Sequence, residues 1–101
     1  MRMWMVNPSA MCRKHLLGEH VELHMLVGAI KHNKSLDGYV EKGLIDTQQI
    51  TSRHEYISKE ITKRGYKHKS PLVFLHNHPV GKVDIDKSIK DLKERCSDCE
   101  V

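Results

Sequence analysis

The chain has 101 residues, enough for one small domain with one modest core, because a domain of this size buries only about two-thirds of the surface that its unfolded chain exposes. Its 17 lysines and arginines outnumber its 13 acidic residues, and eight histidines add to them, which favours a polyanionic partner. The first apolar run is interrupted by Asn7, Pro8, Arg13 and Lys14 and is too short for a signal peptide or a membrane span, so we expect a cytoplasmic protein without a membrane partner.

The first predicted element is a long helix from about residue 13 to residue 32. Before it, Asn7 can cap a short turn in which Pro8 takes the first helical position. Apolar residues recur along the helix at helical spacing and form a stripe that we expect to be buried, namely Leu16, Leu23, Val27 and Ile30.

Residues 33–46 contain two glycines and no sustained periodicity, which predicts a loop. A second helix follows, with Thr47 as its cap and Gly65 as its stop, and its apolar face consists of Ile50, Ile57 and Ile61. Residues 66–82 predict an ordered loop or a pair of turns around the apolar run 72–75.

The last predicted element is an amphipathic helix capped by Asp84, with an apolar face of Ile85, Ile89, Leu92 and Cys96. Together these elements predict an all-α, compact single domain over residues 1–101, in which about three helices joined by long loops pack around the second helix. We expect it to be a monomer.

The candidate chemistry lies in the first residues and on the first helix. Arg2 is too bulky for ordinary removal of the initiator methionine, so we expect the mature N-terminus to be the amine of Met1. Because an α-amine has an unperturbed pKa of about 8, much of it is neutral and nucleophilic at physiological pH. His15, Glu19 and Glu22 project from one helical face, either as proton-transfer groups or as a solvated polar stripe.

The same residues carry a resemblance. The spacing from the first residue through Arg2 to His15-Leu16 and Glu22, then Val27-Gly28 and the run 60–66, resembles that of the phage endonuclease V family of pyrimidine-dimer DNA glycosylases. The resemblance implies that the N-terminal amine, here of Met1, attacks the sugar C1′ and that a helix-borne glutamate, here Glu22, assists. The resulting imine then allows strand cleavage by β-elimination, and no cofactor or metal is needed.

Two departures bear on the substrate. Dimer-specific members carry arginines beside the catalytic glutamate and three residues beyond it, where this chain has Val21 and Met25, and they end in a Tyr-rich tail that this chain lacks. The opening Met-Arg-Met-Trp resembles that of a branch of bacterial and phage relatives for which no target base is assigned. Trp4 is either a core anchor or a wedge against a displaced base.

Double-stranded DNA is the expected partner, and basic residues form two clusters that can contact its phosphates. We predict DNA contacts at Arg2, Arg13, Lys14, His15, Arg64, Lys67, His68 and Lys69. A solvated surface is the alternative interpretation, because basic residues also suit a helix C-terminus. A non-catalytic DNA-binding module on the same scaffold is the alternative function.

Two groups of residues raise the question of a metal. His20 and His24 have the spacing of two ligands on one helical turn, but the sequence lacks the His-Glu-x-x-His register. Cys96 and Cys99 form half of a zinc site that His76 and His78 could complete, which would make the chain a zinc-stabilised interaction protein. We expect free thiols at these positions, since the chain has an odd number of cysteines.

Overall fold

The computed structural model describes residues 1–68, 71–72 and 79–101. Within these residues the protein is helical and contains no strand, which confirms the predicted all-α fold. The helices are α1 (Arg13–Lys31), α2 (Asp37–Glu41), α3 (Ile50–Lys63) and α4 (Ile85–Arg95). Short 3₁₀ turns at Pro8–Ala10 and Thr47–Gln49 precede α1 and α3.

Helix α1 forms close to where its periodicity predicts it. Asn7 caps the preceding turn by accepting a hydrogen bond from the backbone N–H of Ser9, with Pro8 at the first position. Leu16, Leu23 and Val27 are buried, and Ile30 is partly buried. Beyond the end of the helix, the left-handed φ of 54° at Asn33 lets the Lys34 N–H reach back to the Ala29 carbonyl.

The predicted loop after α1 contains the short helix α2, which the sequence did not indicate. The prediction that Thr47 caps the second helix is wrong: the Asp46 side chain caps the 3₁₀ turn there. The Thr47 hydroxyl instead donates to the Val80 carbonyl and accepts from the Val80 N–H, which ties residues 79–81 to the start of α3. Gly65 ends α3 with a φ of 87°, as predicted.

Helices α1 and α3 pack against each other and enclose most of the core. The N-terminal segment lies along this pair, with the Met3 N–H donating to the Leu44 carbonyl at 2.7 Å. Asp84 caps α4 as predicted, and Leu92 is buried, whereas Ile85 is 48% exposed. The packing therefore brings the chain's first residues between α1 and α4.

Candidate active site

Glu22 lies on α1 and is linked to the first two residues of the chain. The backbone N–H of Arg2 hydrogen-bonds its carboxylate, and the N-terminal amine is close enough for its positive charge to lower the Glu22 pKa. Burial is the largest influence and outweighs both, so the Glu22 pKa is raised above its ordinary value, with the charge of Glu19 adding to the rise. The site thus combines an amine with a carboxylate that binds a proton more readily than usual.

A cleft of about 250 Å³ opens beside Glu22. It is lined by Arg2, Trp4, Lys14, His15, Gly18, Glu19, Glu22 and Arg95. A larger depression of about 490 Å³ lies at the outer face of α3 and is lined by residues of that helix and of the segment after it. The smaller cleft is the better candidate for chemistry, because it contains the carboxylate beside the amine and three basic side chains.

The guanidinium of Arg2 is built into the floor of this cleft. It stacks over the indole of Trp4 at 3.7 Å and donates from Nη1 to the Asp91 carboxylate at 3.0 Å. That hydrogen bond holds the pKa of Asp91 below its usual range. The other two guanidinium nitrogens of Arg2, Nε and Nη2, are buried without a hydrogen-bond partner among the described residues. Such orphaned donors are costly unless a water or an anion meets them.

Trp4 is buried, so of its two predicted roles the structure shows the core anchor. Its ring meets the His15 imidazole edge-on, with 5.7 Å between the centroids. Trp4 therefore forms a wall between Arg2 and the start of α1 and fixes the position of both.

Two arginines, one within α3 and one at its C-terminal cap, hold the N-terminal segment in place. Arg53 binds the Glu19 carboxylate with two hydrogen bonds of 2.6 and 3.0 Å and donates to the Val6 carbonyl at 2.7 Å. Arg64 binds Glu60 and donates to the carbonyls of Pro8 and Met11. Because these bonds fix residues 6–11, they also limit where the amine at residue 1 can lie.

Glu19 therefore does not belong to a solvated stripe, as the alternative interpretation of the helical face held. Its side chain is completely buried, and Arg53 is 5% exposed. The sequence could have indicated this pair. Glu19 comes three positions after Leu16 and Arg53 three positions after Ile50, so each lies on the buried face of its own helix. A charged residue in that register needs a partner of opposite charge.

The predicted basic residues fall into different environments. Arg13, Lys14 and Lys67 are exposed, and the Arg13 guanidinium lies 5.1 Å from the centroid of the Tyr66 ring. This contact brings Arg13, of the first predicted basic cluster, next to the residue that precedes Lys67 of the second.

The remaining basic residues have internal partners or lie elsewhere. Arg2 is buried, Arg64 holds the N-terminal segment, and His15 and His68 are partly buried. Their DNA contacts stay predictions. Lys69, like His76 and His78, lies outside the described residues.

Four histidines, of which the sequence paired only His20 and His24, form a cluster between α1 and α3. His20 and His24 pack against His54, and the ring of His68 closes the group, with its Nε2 2.8 Å from Nε2 of His20. Burial, followed by the three neighbouring imidazoles, lowers the pKa of His20 to about 4. Ring nitrogens of His20, His54 and His68 are close enough to share a metal ion.

A second group of potential metal ligands joins the start of α1 to the end of α4. It consists of Cys12, His15, Cys96 and Cys99, whose ligand atoms all lie within 4.8 Å of one another. Cys96 and Cys99, considered from the sequence as half of a zinc site, thus lie beside Cys12 and His15, whereas His76 and His78 lie outside the described residues. Burial raises the pKa of the Cys99 thiol to about 12.

The structure thus places the terminal amine beside the Glu22 carboxylate in a small helical domain. The sequence matches the model of a family described as pyrimidine dimer DNA glycosylase over residues 1–73. The chain therefore belongs to the pyrimidine dimer DNA glycosylase family. Comparison with curated proteins gave no match, and comparison with solved structures gave none either.

Family membership implies an enzyme that removes bases from DNA, and therefore a DNA substrate. Among the described residues, no helix is both long and apolar enough to cross a membrane. The matched region includes Met1, Arg2 and Glu22, and it ends before α4. The last segment of the chain, with its two cysteines, thus lies beyond the part that the family match covers.

Proposed function

We propose that this protein is a DNA glycosylase with abasic-site lyase activity, in which the amine of Met1 forms an imine with C1′ of the target nucleotide. The observation that carries the proposal is the proximity of the amine and the backbone N–H of Arg2 to the Glu22 carboxylate. A carboxylate in that position stabilises the positive charge that develops on the sugar as the base departs.

In the first step, the amine nitrogen forms a bond to C1′ while the glycosidic C1′–N bond breaks and the base leaves with the bonding electrons. The amine must be neutral to attack, and Glu22 accepts the proton that its nitrogen loses afterwards. The raised pKa of Glu22 suits this role, because burial makes the protonated form of its carboxyl group more favourable than in water.

In the second step, the C1′–O4′ bond breaks to give the imine, and the proton held by Glu22 is delivered to O4′. Loss of a proton from C2′ then expels the 3′ phosphate and cleaves the strand. The cations of the cleft, Arg2, Lys14 and Arg95, can neutralise the phosphates that flank the reacting sugar. Reaching that sugar requires extrusion of a nucleotide, at a cost of a few kcal/mol that phosphate contacts must offset.

The proposal is tested by borohydride trapping on duplex DNA that contains one abasic site. Borohydride reduces an imine to a stable amine, so the wild-type protein should become covalently attached to the DNA. Glu22→Gln should bind the same duplex with unchanged affinity and lose most of the trapping and cleavage, because the substitution removes the charge and preserves the shape. Glu41→Gln, at an exposed site on α2, is the matched control and should behave as wild type.

Intact binding without any adduct in the wild-type protein would favour the alternative, a non-catalytic DNA-binding module. Normal cleavage by Glu22→Gln would remove Glu22 from the mechanism.

A further inference from the structure

We propose that Cys12, His15, Cys96 and Cys99 form a structural zinc site that fastens the end of the chain to the start of α1. This differs from the metal-free protein expected from the sequence. Its three thiols lie outside the cleft beside Glu22, and only His15 is shared with the cleft wall, so zinc binding is tested separately from the proposed glycosylase chemistry.

The first argument is the geometry of the ligand atoms. Sγ of Cys12 lies 3.7 Å from Sγ of Cys96, and Nδ1 of His15 lies 3.2 Å from Sγ of Cys12 and 3.6 Å from Sγ of Cys99. Tetrahedral zinc with Zn–S bonds of about 2.3 Å and Zn–N bonds of about 2.0 Å requires S–S separations of about 3.8 Å and S–N separations of about 3.5 Å. The observed separations match that arrangement.

The same distance argues against a disulfide in this arrangement, because bonded sulfur atoms lie about 2.05 Å apart. All three cysteines are free thiols in the structure. Hydrogen bonds among three thiols and an imidazole would stabilise this arrangement only weakly, since thiols are weak donors and acceptors. Coordination of a shared metal ion stabilises it better.

The second argument is the spacing of the ligands along the chain. The four residues form two pairs, Cys-x-x-His at 12–15 and Cys-x-x-Cys at 96–99. Each pair lies at a helix end: Cys12 is the N-cap of α1, and Cys96 is the C-cap of α4. Short paired spacings at such ends are typical of structural zinc sites with three cysteines and one histidine.

The third argument is the surroundings of the sulfurs. The backbone N–H of Cys12 donates a hydrogen bond to Sγ of Cys99 at 3.2 Å, and such bonds stabilise metal-bound thiolates. Three thiolates and one zinc ion carry a net charge of −1. Lys14 and Arg95 lie close enough to His15 to act on it electrostatically, and they offset that charge.

Such a site would fasten the C-terminal segment to the start of α1 through coordinate bonds to the metal. Among the described residues, this segment is also held to the start of the chain by hydrogen bonds, including one from the Glu100 N–H to the Ala10 carbonyl at 2.7 Å. The site also fixes His15, whose ring packs against Trp4 in the wall of the cleft. Zinc would therefore connect the segment beyond the family match to the part that contains Glu22.

The test is the metal content of the full-length protein purified without chelator, measured by inductively coupled plasma mass spectrometry. We expect about one zinc ion per chain. Cys96→Ser should lose it. His68→Ala, which alters the histidine cluster and leaves the cysteines intact, is the matched control and should keep it.

Cobalt gives a second measurement that does not depend on whether a cysteine variant folds. Wild-type protein exchanged into cobalt should show the intense visible bands of a tetrahedral ion together with a thiolate-to-cobalt charge-transfer band. A metal-free protein that shows no such band with cobalt would overturn the proposal. Zinc that His68→Ala loses and Cys96→Ser keeps would also overturn it, because the ion would then lie at the histidine cluster.

Discussion

The buried ion pair between Glu19 and Arg53 gives the sharpest prediction about stability. Glu19→Gln keeps the size of the side chain but leaves the Arg53 guanidinium buried without a counter-charge. Breaking a buried pair by removing one partner costs about 3–5 kcal/mol. We expect the upper part of that range, because Glu19 is completely buried and binds Arg53 through both carboxylate oxygens.

That cost is a large part of the stability of a domain of this size, which is about 5–15 kcal/mol. Each kcal/mol lowers the melting temperature by about 4–8 °C, so a cost of about 4 kcal/mol or more means that Glu19→Gln should melt at least about 16 °C below wild type. The assay is thermal and urea unfolding followed by circular dichroism. The exposed pair of Glu55 and Lys59, with 3.9 Å between the charged atoms, supplies the control: Glu55→Gln should change stability by less than about 1 kcal/mol.

The double variant Glu19→Leu/Arg53→Met separates the loss of a charge partner from the loss of packing. Because it leaves neither charge buried, it should be more stable than Glu19→Gln. A melting temperature for Glu19→Gln equal to that of Glu55→Gln, or a double variant less stable than the single one, would refute this reasoning.

Three further predictions concern a turn, a titration and the DNA-binding surface. Gly81→Ala should unfold more easily in urea than wild type, because Gly81 has a φ of 82° and an added Cβ would lie 2.5 Å from the Ile45 carbonyl oxygen; equal midpoints would contradict this. Since burial raises the Glu22 pKa, its charged form destabilises the fold once the pH exceeds that pKa, so Glu22→Gln should melt above wild type at neutral pH. That difference should shrink as the pH falls through the folded-state pKa of Glu22, and a difference in melting temperature that does not change with pH would count against the assignment. Lys67→Ala should weaken DNA binding equally across sequences and reduce the slope of log binding constant against log salt concentration by about one, whereas Lys34→Ala, at an exposed site, should do neither. Equal slopes for wild type and Lys67→Ala would show that Lys67 does not contact a phosphate.

Much of the fold could be predicted because its signals are local. The apolar periodicity of α1 and α3, the Asn7 and Asp84 caps and the Gly65 stop each depend on a few neighbouring residues. Helix α2 was missed because its five residues are too short to show a period. Thr47 was misassigned because its partner, Val80, lies 33 positions away in the sequence.

The candidate site, too, could be predicted only in part from the sequence. The roles proposed for Met1 and Glu22 came from the resemblance, and spacing along one helix cannot show that a terminus folds back onto it. The sequence identified the pairs His20/His24 and Cys96/Cys99, but it missed their partners His54, His68, Cys12 and His15, because these come from separate elements that only tertiary packing brings together. A search for paired Cys-x-x-His and Cys-x-x-Cys spacings could have found the second group.

The most direct test of the central claim is to locate the trapped covalent bond. Wild-type protein reduced with borohydride on an abasic-site duplex is digested and mapped by mass spectrometry. If the mechanism is correct, the sugar remnant lies on the α-nitrogen of Met1, and a protein with an uncleaved N-terminal extension, verified intact by mass, forms no adduct and keeps its melting temperature. An adduct on Lys14, or full strand cleavage by the extended protein, would contradict the account.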